Sequence, residues 1–233
     1  MRIDKYLSNL WLTSRKDAHK LFKENKIYLN DNICKKSDEK IKFWDKIKIE
    51  ANEIIYKENI YIILHKPIDY VSSNVDESRY KSYKHLLIDC PYKDIIEVVW
   101  RLDADTTWLL LLTNNWKLIH KLIHPKKDVF KTYYIESLHD ISKQDLEKLE
   151  NWVEIDDFIT KKAITNKIWE KKLELSISEW KFHQVKKMLL AINNEVIKLH
   201  RISIWDIKIG DLTEWNWRYL NDDEISYLEN KIN

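Results

Sequence analysis

The chain reads as an α+β protein: a small αα-β module at the start, followed by a larger mixed domain on a largely antiparallel sheet. Three observations predict this class. Apolar residues recur at helical spacing over residues 2–25, short strand-period segments follow as far as residue 50, and beyond residue 60 strand-type runs are mixed with helix-type stretches. A length of 233 residues accommodates one small domain and one medium one.

The elements follow in chain order. Ile3, Leu7 and Leu10 mark a first helix, and Ala18, Leu21 and Phe22 a second, with an interruption around 11–13. Ser14 is placed to cap the second helix, with Asp17 three residues on as its capping-box partner. Residues 27–29, Ile33 and 47–49 read as strands and complete a module ending at residue 50. The polar, loosely patterned stretch 51–59 reads as a linker, and 60–64 opens a buried strand that begins the second domain, 60–233. In that domain 98–102, 109–113, 132–135 and 173–178 read as strands and 118–124, 143–149 and 184–192 as helices.

Glycine is nearly missing. Average usage near 7% would place about 16 glycines in a chain of this length; there is 1, against 11 tryptophans. Several tryptophans stand in glycine contexts. Trp116 follows Asn114-Asn115 directly after the apolar run 109–112, where a turn of the Asn-Gly kind would supply a positive φ. Ile204-Trp205-Asp206-Ile207 and Ile209-Gly210-Asp211-Leu212 repeat one phrase five residues apart, one copy with Trp and the other with the single Gly. The pattern predicts a gene that uses UGA for glycine, written here as tryptophan, at positions 11, 44, 100, 108, 116, 152, 180, 205 and 215. Trp217 reads as genuine, and Trp169 fits neither group. Real indoles at 100 and 108 are expected to distort the loop between them or to fill a pocket there, leaving a poorly folded or inactive chain.

Composition excludes several function classes. Cys34 and Cys90 are far apart, with no CxxC or Cys/His ligand spacing, so neither a metal site nor a disulfide scaffold is expected, and a reducing compartment is. No apolar run reaches membrane-spanning length, and the charged start lacks a signal-peptide core; a cytoplasmic protein with no membrane partner follows. The net charge is only +2, yet the first fifty residues hold thirteen Lys and Arg against far fewer acids, a local excess suited to phosphate contacts and equally consistent with a solvated face.

Two segments carry the chemistry. MRIDKYLSNLWLTSRKDAHKLFKENKIYLN, at residues 1–30, resembles the start of an S4-type RNA-binding domain, in which paired helices present basic residues to structured RNA. VVWRLDADTTWLLLLTNNW, at 98–116, read with glycine at 100, 108 and 116, resembles the catalytic segment of the RsuA-type pseudouridine synthases, which isomerise uridine in ribosomal RNA. HKPIDYVSS at 65–73, KTYYIE at 131–136, ISEWKFHQVKKMLLAINNEVIKLHRISI at 177–204 and the closing LTEWNWRYLNDDE resemble the same family in the same order.

This resemblance implies the site. Asp103 matches the catalytic aspartate, with Arg101 beside it to keep the carboxylate ionised and Asp105 as the rival acid in the same loop. Tyr133 matches the tyrosine that stacks on the flipped base, and Lys186 the cation facing the aspartate, with Lys187 as the alternative. RNA contacts are implied for Arg2, Lys5, Ser14, Arg15, Lys16 and Lys20 in the first module, and for Lys66, His183, Gln184 and Arg201 in the second. Arg201, in KLHR, would instead pin its strand to the core if it is buried. A second helix beginning at Ser14, Arg15 and Lys16 offers orphan N–H groups as well as cations to phosphate. Breaking and remaking a glycosidic bond requires a nucleophile or charge stabiliser but no cofactor and no metal.

Departures from the family pattern are few. Asp69 and Asn193 stand where glycine is usual, and both residue types tolerate left-handed backbone; Lys162 replaces a proline. RLDADTT and LHRISI look closest to the members acting on one uridine of small-subunit (16S) rRNA. A large-subunit (23S) enzyme and a non-catalytic S4-type RNA-binding or ribosome-assembly protein are the alternatives. The expected partner is ribosomal RNA or a subunit assembly intermediate, met by a monomer.

Overall fold

The computed structural model describes residues 1–10, 13–42, 45–50, 52–124 and 127–232, apart from the side chains of Asn9, Arg15, Asn52 and Ile232. Two compact units divide the chain: residues 1–60 together with 88–97, and residues 61–87 together with 98–233.

The first unit opens with α1 (Ile3–Asn9) and α2 (Arg15–Lys23). Ser14 caps α2 by accepting from the Asp17 N–H at 3.1 Å, which closes one of the donors every helix start leaves open. A sheet in the order β2-β1-β3-β4 follows, from β1 (Ile27–Leu29), β2 (Asn32–Ile33), β3 (Lys46–Ile49) and β4 (Asn52–Ile55). Ile3, Leu7, Leu10, Ala18, Phe22, Ile27 and Ile47 form its core. β4 lies in the stretch expected as linker. Alternation of Glu53 and Ile55 outward with Ile54 inward lets it add to β3, so the polar composition of 51–59 marked an edge strand and not a tether. Residues 88–97 join this unit through Tyr92, whose hydroxyl donates to the Ile55 carbonyl at 2.7 Å and receives the Tyr6 hydroxyl at 3.3 Å.

The second unit begins with β5 (Tyr61–Lys66), a small parallel pair β6 (Tyr70–Val71) and β7 (Lys81–Ser82), and a 3-10 turn at Tyr83–Leu86. After β8 (Glu97–Val98) come β9 (Thr107–Thr113), α3 (Trp116–Ile123), β10 (Lys131–Ser137) and α4 (Lys143–Asn151). The hairpin β11 (Glu154–Ile155) and β12 (Phe158–Ile159) leads to β13 (Ile164–Trp169), β14 (Lys172–Ile177) and α5 (Gln184–Ala191). β15 (Val196–Ile204), β16 (Ile207–Lys208), β17 (Trp217–Tyr219) and α6 (Asp222–Ile232) close the chain. The main sheet runs β13-β14-β10-β15-β9-β5-β17, antiparallel throughout except where β9 lies parallel to β15. The run Leu109–Leu112 is buried on both faces of β9, which explains why it lacks the polar alternation of a half-exposed strand. One face packs with α3 and α6 through Ile63, Leu111, Leu118, Leu122 and Leu228.

Two local expectations need correction. The strand expected at 98–102 is only β8, because residues 99–106 leave the ladder to form the loop that carries Asp103. Trp116 does not occupy a positive-φ turn: β9 runs into a helix, Asn115 caps it by accepting from the Leu118 N–H at 3.1 Å, and Trp116 is the first helical residue.

Elsewhere the backbone separates positions by their demand for glycine. Trp108, Trp205 and Trp215 have φ of 78°, 48° and 72°, a region that costs a bulky L-residue strain, and Gly210 has 60°. The two copies of the internal phrase therefore share one backbone state at Trp205 and Gly210. Asp69 and Asn193 also lie in this region, at 66° and 57°. Trp11 and Trp44 lie outside the described residues.

Candidate active site

Asp103 sits at the tip of the loop between β8 and β9, and the loop's shape comes from a second loop, 66–72. The Ser72 hydroxyl donates to the Leu102 carbonyl and accepts from the Leu102 N–H, both at 2.9 Å. The Asp69 N–H donates to the Ala104 carbonyl at 2.9 Å, and Thr106 N–H to the Asp103 carbonyl at 3.1 Å. Asp69 reaches Ala104 from its left-handed backbone, the state expected of a residue standing for glycine.

Lys66 completes this brace and does not meet RNA. It is fully buried, and its ammonium donates to the carbonyls of Tyr70, Pro67 and Ala104 at 2.6, 3.0 and 3.3 Å. Burial pulls its pKa down to about 7, against the pull of Asp105 and Asp103 in the other direction. In place of the exposed position that an RNA contact needs, Lys66 holds the loop that carries Asp103. Arg201 is corrected in the same way. It too is fully buried, with Nε on the Leu109 carbonyl at 2.8 Å and Nη2 on the Trp100 carbonyl at 3.0 Å, so it fastens β15 to both sides of the loop instead of forming a cleft wall.

Lys186 and His183 face Asp103 from the start of α5. Lys186 Nζ lies 3.3 Å from Asp103 Oδ2 and chelates Asp105 at 2.7 and 2.9 Å. His183 Nε2 lies 3.5 Å from the same Oδ2, carried there by a left-handed backbone (φ 54°) and stacked on Phe182. Lys187, the alternative cation, turns away to Asp156. Arg101 does not pair with Asp103; its guanidinium points outward to Glu77 at 3.3 Å. The stabilising charge expected of Arg101 comes from Lys186, which is three residues and one helical turn from His183 and so shares its face.

Tyr133 lies on β10 opposite Arg201, buried, with its ring lining the pocket over Asp103. That pocket measures about 40 Å³, room for a few waters but not for a base. Trp180 lines it, whereas Trp100 and Trp108 do not: Trp100 is buried in the core, and Trp108 stacks on His200 with centroids 4.6 Å apart. The expectation that indoles at 100 and 108 fill the pocket is corrected accordingly, because the left-handed backbone at 108 turns its side chain towards His200.

Two buried polar atoms on this pocket have no partner, Thr106 Oγ1 and Gln184 Oε1. Gln184 is 4% exposed, and its amide nitrogen donates to Glu179 at 2.8 Å, which fixes the oxygen as the open end. A hydroxyl and an acceptor carbonyl beside the Asp103 carboxyl group form a set that can read the polar edge of a base. The sequence marks Gln184 as a candidate RNA contact but neither atom as unpartnered, and the structure places Gln184 inside the pocket rather than on an exposed face.

The remaining candidates belong to the first unit. Arg2 is bound to Asp4 through two bonds of 3.0 and 2.6 Å, Lys5, Lys16 and Lys20 are exposed, and Ser14 serves the helix cap. The side chain of Arg15 lies outside the description. Among the described residues no group of His, Cys, Asp and Glu is arranged to hold a metal ion, and no helix is long and apolar enough to cross a membrane.

Comparison with known proteins identifies the family. Residues 60–191 match the family model described as RNA pseudouridylate synthase. The ribosomal small subunit pseudouridine synthase A of Vibrio parahaemolyticus is 31% identical over 99% of this chain and 100% of its own. The ribosomal large subunit pseudouridine synthase B of Bacillus subtilis is 30% identical over 97% and 95%. A crystal structure of a pseudouridylate synthase superposes with a TM-score of 0.69 at 30% identity, covering 98% of this chain and 99% of that one.

Proposed function

The chain belongs to the RNA pseudouridylate synthase family and is an RNA pseudouridine synthase, and on that premise we propose that it converts one uridine of small-subunit (16S) rRNA, with Asp103 as the essential carboxylate. The observation that carries the catalytic assignment is the pairing of Asp103 with Lys186 and His183 in a pocket walled by Tyr133. Lys186 and His183 hold the Asp103 carboxylate from one side at 3.3 and 3.5 Å, leaving it placed to attack or to stabilise positive charge as the C1′–N1 bond breaks. The base then turns, C1′ joins C5, and the proton leaving C5 is balanced by one gained at N1. Tyr133 offers the surface for the flipped base, and Gln184 Oε1 an acceptor for the N3–H that distinguishes uracil from cytosine.

Small-subunit RNA is favoured by RLDADTT and LHRISI; likeness over the whole chain is shared by enzymes named for either subunit. The first unit supplies an S4-type RNA-binding module through Arg2, Lys5, Arg15, Lys16 and Lys20, and the working protein is a cytoplasmic monomer. Mapping pseudouridine in both rRNAs of a deletion strain tests the target. Loss of one small-subunit site is expected, and loss of a large-subunit site would transfer the enzyme to the second target.

The working protein also carries glycine at the nine positions named from sequence. The left-handed backbone at 108, 205 and 215, and the match of 205 with Gly210, support this. So do the half-exposed or more exposed indoles at 116, 152, 180 and 215. Peptide masses of the protein from its own cells are expected to read glycine at all nine; tryptophan at 108 would overturn the recoding.

A further inference from the structure

Beside the Asp103 pocket lies a second, larger cavity of about 530 Å³, within the usual range for a site that encloses a small ligand. Arg101, Trp180 and Lys181 border both, so the two are neighbours along one surface. The floor of the larger cavity is apolar, from Val99, Leu122, Phe158 and the exposed Ile123, with Trp100 beside them, an indole that glycine at 100 removes without removing the floor. The cations that reach it are Arg101, Lys127, Lys161 and Lys181, against one carboxylate, Glu179, while Lys131 is buried with its Nζ on the Ser178 carbonyl at 2.8 Å. Glu179 is committed to the protein, accepting from the Lys161 N–H and the Gln184 amide at 2.8 Å each. Lys161 is half-exposed and held by Asp128 at 2.7 Å, and Lys181 lies 4.1 Å over the Phe158 ring.

We infer that this groove holds the nucleotide next to the target uridine, its base on the apolar floor and its phosphate on Lys127, Lys161 and Lys181. The inference rests on the reading of the Asp103 pocket as the uridine site and adds a second contact to it. Apolar floor and cationic rim together match a nucleotide, which has a flat base at one end and a phosphate at the other. Continuity through Arg101 and Trp180 places the occupant on the same strand as the target. With glycine at 180 the shared wall loses its indole, and the groove opens towards Asp103.

The test uses the full-length protein and the double variant Lys127→Ala/Lys161→Ala, neither residue contacting the catalytic carboxylate. The substrate is target rRNA, intact or with an abasic site on either side of the uridine. The variant is expected to raise KM about tenfold with kcat within about twofold, and to flatten the salt dependence of binding by roughly 1.4 in log–log slope, 0.7 for each lost phosphate contact. One of the two abasic RNAs is expected to bind the parent about tenfold more weakly and to lose less in the variant. Unchanged KM and salt slope in the variant, or abasic sites that cost the parent nothing on both sides, would overturn the groove assignment while leaving the enzyme reading intact. Absence of pseudouridine with the parent on either rRNA would count against the function itself, and the binding slopes would still decide the groove.

Discussion

At the scale of single residues, backbone conformation discriminates where composition alone could not. Trp215 and Trp152 both stand among the nine expected glycine positions, yet Trp215 is half-exposed at φ 72° and Trp152 is extended at φ −169°. Only the first has a steric reason to be glycine, so Trp215→Gly is expected to raise stability by about 1 kcal/mol, read as a higher Tm, because it removes left-handed strain while giving up one edge contact with Tyr70. A fall in Tm would show that the ring contributes more than its backbone costs. Asp69 and Asn193 were legible for the opposite reason, since Asp and Asn advertise tolerance of the state they adopt. Lys66 misled, because a cation in a strand reads as a surface group until burial shows which carbonyls it holds, whereas for Arg201 the alternative reading, a pin for its strand, is the one that holds.

At the scale of elements, strand and helix existence was legible and the catalytic loop was not. β9, β10, β14, α3 and α5 follow from apolar period, and the cap at Ser14 from its spacing to Asp17. Residues 98–102 read as a strand because Val98, Val99 and Leu102 are apolar, while the shape of the loop 99–106 depends on long-range bonds to 66–72 that no local pattern records. Ser72→Ala should therefore act on catalysis as well as on stability. Leaving the Leu102 N–H and carbonyl without partners in a buried place costs about 1–3 kcal/mol, and kcat is expected to fall about tenfold with KM little changed, as for a loop displaced from its reacting group. Equal kcat in parent and variant would show that the second loop is only a neighbour. Helix α6, capped through Asn221 and Glu224, carried a usable signal in its Asn-Asp-Asp-Glu start and was passed over as a family phrase.

At the scale of the whole molecule, two buried lysines give the fold an unusual pH response. Lys66 and Lys131 both fall to about 7, chiefly through burial, whereas an unfolded lysine titrates near 10.4. Between these values the unfolded chain binds more protons, so stability rises with pH, by up to about 1.4 kcal/mol per unit for each lysine. Below pH 7 both are protonated in either state, and the penalty is constant. Above pH 10 the trend reverses, as burial pushes Tyr61 up to about 12 and the folded state then resists losing that proton. Urea melts from pH 6 to 9.5 are expected to show rising stability above pH 7, with the slope roughly halved in Lys131→Met; a flat profile would place both ammonium groups in contact with water.

The family was legible because its phrases recur in order along the chain, while relatives named for small-subunit and for large-subunit rRNA match it about equally well. The most direct test measures pseudouridine formation on small-subunit rRNA by the protein with glycine at the nine positions and by its Asp103→Asn variant, which keeps shape and removes charge. Turnover in the first and a fall of at least about 10³-fold in the second is the predicted result. Turnover retained in the Asn variant would contradict the assignment of Asp103 and move the chemistry to Asp105.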